Sequence, residues 1–72
     1  MKYGRFLVAS YTGLPFHAQP ENGYTYLGAI CRVQREINEC IKLWGGKAED
    51  YKDWFIVLDH NFKEVKDAKN AF

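Results

Sequence analysis

The stretch from residue 26 to residue 44 constrains the fold more than any other part of the chain. Tyr26, Ile30, Val33, Ile37, Cys40, Ile41 and Trp44 recur at steps of three and four. That spacing draws one apolar stripe along an amphipathic helix. Arg32, Arg35, Glu36, Asn38, Glu39 and Lys42 fill the rest of the helix surface. Thr25 is suited to the N-cap, and Gly45-Gly46 ends the helix because glycine adopts the left-handed cap at little cost. Lys42 falls in the last turn, where a cation complements the helix dipole. A single stripe must be buried against another element. Leaving Ile37 or Trp44 in water would forfeit about 1.5–3 kcal/mol each.

The rest of the chain offers a sheet as that element. Residues 5–11 (Arg-Phe-Leu-Val-Ala-Ser-Tyr) read as a strand with apolar side chains on both faces. Thr12-Gly13-Leu14-Pro15 punctuates it, and residues 15–18 read as a short edge strand, the position where proline is tolerated. A second loop follows at residues 19–23 and a charged loop at residues 47–53. Residues 54–58 (Trp-Phe-Ile-Val-Leu) and 62–65 (Phe-Lys-Glu-Val) flank Asp59-His60-Asn61, which predicts a β-hairpin. The expected architecture is α+β, ordered β-(β)-α-β-β. One helix lies on a three- or four-stranded, mainly antiparallel sheet. The 72 residues suit one small domain, with 66–72 as a loose tail into which Phe72 can tuck.

Composition and charge then limit what such a domain does. A hydrophobic fraction of 47% argues against disorder. Ten Lys and Arg against nine Asp and Glu leave a net charge of +1, a weak drive towards nucleic acid or acidic membranes. The short apolar run after Lys2 is too brief for a signal segment or a membrane span, so the expected location is the cytoplasm. Cys31 and Cys40 sit nine residues apart. On one helix that places them about 180° apart around the axis and roughly 13 Å along it, too far for a disulfide. Cys40 then belongs to the core, and Cys31 to the surface beside Arg35 and Lys42.

Constellations that carry chemistry are not apparent. Ser10, the single serine, lies inside a strand without the flanking glycines of a nucleophile elbow. His17, Cys31, Cys40 and His60 lack the closely spaced ligand pairs of a structural zinc site. His60 reads instead as a turn residue. Gly45-Gly46-Lys47 ends a helix, whereas a phosphate-binding loop begins one. Glu49, Asp50, Asp53 and Asp59 read as solvated loop carboxylates. The expectation is no enzyme, no cofactor and no metal. A reactive Cys31, activated by nearby positive charge, is the enzymatic alternative.

What stands out is aromatic content: five Phe, five Tyr and two Trp. One helix and a small sheet cannot readily hide so many, and exposed aromatics beside Arg are the usual anchors of protein interfaces. Tyr11, Phe16, His17 and Tyr24 with Arg32 and Arg35 form the candidate partner-binding surface. In organisation the chain resembles small phage-encoded proteins that block host machinery, among them anti-CRISPR proteins and phage inhibitors of bacterial RNA polymerase. That resemblance rests on a complete small domain starting at Met1, one amphipathic helix on a small sheet, and no catalytic constellation. It implies a partner that is a host protein complex, inhibited by steric occlusion in the host cytoplasm. A single-stranded nucleic-acid binder that stacks bases on Tyr3, Tyr11 and Tyr24 beside Arg5 is the alternative from another class, although the helix mixes Arg32 and Arg35 with Glu36 and Glu39. A homodimer is compatible with each reading, since a small domain gains by burying aromatics between copies.

Overall fold

A computed structural model describes residues 5–16 and 20–72. Helix α1 runs Tyr26–Trp44, the span its apolar period predicts. The Thr25 hydroxyl accepts from the Gly28 amide at 3.0 Å, and the Gly45 amide donates to the Ile41 carbonyl at 2.7 Å. Gly45 and Gly46 take φ of 77° and 94°, the left-handed region that stops a helix. Ala29, Ile30, Val33, Ile37 and Cys40 turn inward and are buried.

Those residues cover a two-stranded antiparallel sheet of β1 (Leu7–Ser10) and β2 (Phe55–Leu58), in register Leu7 to Leu58 and Ser10 to Phe55. Val8, Phe55 and Val57 join the helix in one core, while Ala9, Ile56 and Leu58 form a second cluster with Leu7 against it. All four β2 residues are buried. The fold is α+β with an antiparallel sheet, but it has fewer continuous strands than the three or four expected.

The outer strands contract to isolated bridges. On the far edge of β1, Pro15 bridges Ala9 and Phe16 donates to the Val8 carbonyl at 3.0 Å. The ladder bonds flank the Ala9–Pro15 pair, so proline, which has no amide to donate, stands where none is required. The remaining residues expected in that edge strand, His17 and Ala18, lie outside the described residues. On the far edge of β2 the expected hairpin turn forms. Asp59 donates to the Lys63 carbonyl at 2.9 Å, and Glu64 bridges Leu58. Its returning arm is held by one apolar side chain, the half-buried Val65, because Lys63 and Glu64 are exposed. The chain then coils into a 3₁₀ helix, Lys66–Ala71, that buries Ala68 and brings Phe72 against the core. Residues 66–72 are therefore packed, not a loose tail.

The hairpin turn is fastened by Asp59. Its Oδ1 accepts from the amides of Asn61 at 2.8 Å and Lys63 at 3.0 Å. The turn ends on Phe62, a non-glycine residue at φ 61°, which costs roughly 1–2 kcal/mol of backbone strain. The amides of Lys63 and Asn61 hold the Asp59 carboxyl below its ordinary value of 3.8. A depressed carboxyl contributes stability above its unfolded pKa, and that contribution is lost as pH falls through the folded value. Asp59→Asn keeps an acceptor but cannot titrate. Its urea midpoint should therefore fall less steeply than the wild type's as pH drops from the ordinary carboxylate value towards the lowered one. Parallel acid limbs for the two proteins would refute this.

Candidate interaction surface

The six residues expected to bind a partner divide into groups. Phe16, Tyr24 and Arg32 come together, but largely with one another. The Arg32 guanidinium lies 5.4 Å from the Phe16 ring centroid, donates through Nη1 to the Tyr24 hydroxyl at 2.8 Å, and pairs through Nε with Glu36 at 2.9 Å. Burial works against its charge. The bonds to Glu36 and Tyr24 outweigh that and hold its pKa above the ordinary arginine value. Phe16 packs edge-on against Phe55, with ring centroids 5.8 Å apart. Tyr24 is tied to Phe6 by backbone hydrogen bonds in both directions. Tyr24 and Phe16 are half-buried, because backbone bonds to Phe6 and Val8 respectively, and the Arg32 contact, draw both against the fold. Arg35 is exposed, and His17 lies outside the described residues. Among the residues proposed to stack bases, Tyr3 is likewise outside the described residues, and Tyr24 is committed to Arg32.

Tyr11 sits at the other end of β1, and it has company there. Its amide donates to the Trp54 carbonyl at 2.8 Å, one rung beyond the Ser10–Phe55 pair. The Trp54 ring lies 5.9 Å from Trp44 and meets Tyr51 edge-on at 5.0 Å. Ser10 donates to the Leu14 carbonyl, which brings Leu14 to the same end. Tyr11 is 71% exposed, Trp44 66% and Trp54 44%; Leu14 and Leu43 are also exposed. Five large apolar side chains thus gather where α1 ends and β2 begins. An open groove of ≈ 490 Å³ lies beside two of them, lined by Tyr11, Asp53 and Trp54.

Trp44 corrects the expectation that the whole helical stripe is buried. A 19-residue helix spans roughly 28 Å, whereas a four-residue strand spans about 13 Å. The last turn of α1 therefore runs past the sheet, and its tryptophan meets Trp54 instead of the core. The position of Trp44 directly before Gly45-Gly46 is the sequence signal for this overhang. Tyr51 corrects in the other direction. It lies in the charged loop of residues 47–53, yet it is buried. Gly45-Gly46 reverses the chain into two 3₁₀ turns, Ala48–Asp50 and Lys52–Trp54, and the Tyr51 hydroxyl donates to the Gly45 carbonyl. Asp50 Oδ2 accepts from the Lys47 amide at 2.9 Å and fixes the first of these turns.

The cysteines fall as the helical spacing predicts, Cys31 exposed and Cys40 buried. Burial, with Glu36 adding to it, pushes the Cys40 thiol up from its ordinary value. Among the described residues no helix is long and apolar enough to cross a membrane. The chain matches no protein-family model, no curated protein and no solved structure.

Proposed function

We propose that this chain is a non-enzymatic protein-binding module that blocks a larger host assembly by occupying its surface, in the manner of the small phage-encoded inhibitors it resembles. The observation that carries the reading is the aromatic end formed by Tyr11, Trp44 and Trp54 with Leu14 and Leu43. Scattered single apolar residues are ordinary on a protein surface. A group of them at one end of the fold, with two tryptophans and a tyrosine, has the composition of an interface hot spot. Tyr11 and Trp44 project mainly into solvent, and the Trp54 ring accounts for only part of Trp44. The surface bound belongs to a nucleic-acid-handling complex, either a CRISPR effector or RNA polymerase. Arg32 and Tyr24 brace the scaffold behind that surface instead of contacting the partner.

Affinity capture from a bacterial lysate with the tagged chain as bait tests the reading. The expected result is a stoichiometric multi-subunit complex that stays bound in high salt. Once purified, that complex should lose activity as the chain is titrated to saturation. Capture that yields no stoichiometric partner would overturn the proposal, and so would a bound complex that keeps full activity at saturation.

A further inference from the structure

The groove beside Tyr11 has a chemical character more specific than exposed apolar surface. Its three lining residues carry an indole, a phenol and a carboxylate, from Trp54, Tyr11 and Asp53. The protein uses the same set of parts elsewhere to hold an arginine. Around Arg32 they are the Phe16 ring, the Tyr24 hydroxyl and the Glu36 carboxylate. At the groove the parts are present and the arginine is not. We propose that this groove receives an arginine side chain presented by the partner protein. Its guanidinium lies on the Trp54 indole and donates to the Asp53 carboxylate. The inference rests on the reading of this end as the partner surface, and it names what that surface recognises.

Arginine fits better than other occupants. A guanidinium stacks flat on an aromatic ring and offers paired N–H donors to a carboxylate, which a lysine ammonium cannot do in one geometry. An apolar side chain would gain nothing from the Asp53 carboxylate. A phosphate would be repelled by it. Asp53 pairs within the chain with Lys69 at 3.3 Å, and its side chain is 88% exposed. An ion pair this open contributes little, so an incoming guanidinium displaces Lys69 at small cost. Lys69 thereby acts as a weak internal competitor for the site.

The test uses the full chain labelled with ¹⁵N and titrated with blocked Gly-Arg-Gly and, separately, with its norleucine counterpart. A saturable shift is expected in the Trp54 indole N–H signal and in the Tyr11 and Asp53 amides, with arginine bound about ten-fold more tightly than norleucine. Asp53→Asn should weaken arginine binding about three-fold, and Lys69→Gln should strengthen it. Both substitutions fall on exposed or half-exposed side chains. Equal affinity for the two peptides would overturn the proposal, as would indifference to Asp53→Asn or the absence of a saturable shift. Concentration-dependent shifts at the same residues without peptide, abolished by Arg35→Gln, would overturn it in favour of a second copy of the chain. Loss of arginine selectivity beside an intact captured complex refutes this inference alone. Selective arginine binding without any captured complex refutes the wider functional reading alone.

Discussion

Tyr51→Ala should remove about half of the stability of this protein, a large effect for a residue in a charged loop. Tyr51 is buried, joins the core that contains Val8, Val33 and Val57, and stands edge-on to Trp54 at 5.0 Å. Truncating a buried aromatic ring to alanine costs about 3–5 kcal/mol. A chain of 72 residues has roughly 4–11 kcal/mol in total at 0.05–0.15 kcal/mol per residue. The loss also undoes the connection between α1 and β2, because the Tyr51 hydroxyl is bonded to the carbonyl of Gly45 at the helix end. Tyr51→Phe separates the two contributions. It keeps the ring and gives up the hydrogen bond, at about 1 kcal/mol. Urea denaturation followed by far-ultraviolet circular dichroism reads both. The phenylalanine variant should lower the midpoint by about 1 M, given a slope near 1 kcal/mol per molar for a small domain. The alanine variant should lower it by about 3–5 M. An alanine midpoint close to that of the phenylalanine variant would mean that the ring is not the keystone of this connection.

The contrast between α1 and Tyr51 shows which parts of the fold are legible in the chain. Helix ends are set by neighbours in sequence. Thr25 and Gly45 act on groups three or four residues away, so the limits Tyr26 and Trp44 can be read directly. The central strands are equally local, because Leu7–Ser10 and Phe55–Leu58 are short apolar runs bounded by turn residues. Burial of Tyr51 depends on the direction in which Gly45-Gly46 throws the chain, which no local pattern encodes. Exposure of Trp44 depends on the length of strands far away in sequence. The same holds for the candidate surface. Phe16, Tyr24 and Arg32 carry the right residue types for a partner contact, and the fold spends them on one another through a contact set spanning residues 16 to 36. Tyr11 was legible as an exposed aromatic, whereas its neighbours Trp44 and Trp54 were hidden behind a helical period and a strand-like run.

That relocation makes the functional prediction sharp. Tyr11→Ser and Trp44→Ser, made singly, should each weaken binding of the captured complex by about 30-fold, the factor that corresponds to about 2 kcal/mol for a hot-spot aromatic. Neither change should unfold the protein. Tyr11 is mostly in solvent, and Trp44 gives up one ring contact worth about 0.5–1.5 kcal/mol. Phe62 provides the control. It is 66% exposed, like Trp44, but it sits on the hairpin turn beyond Leu58, at the end of the ladder away from Trp54. Loss of a generic sticky surface would make Phe62→Ser as damaging as Trp44→Ser. A surface confined to the Tyr11–Trp44–Trp54 end leaves affinity unchanged in Phe62→Ser, since surface substitutions away from such features shift energies by no more than about 0.5 kcal/mol. Interferometry with the purified complex distinguishes the patterns. Equal losses at the two ends would mean a generic sticky surface, and no loss at either would place the partner surface elsewhere, whereas loss at the Tyr11–Trp44–Trp54 end alone ties binding to the overhang of α1 past the sheet.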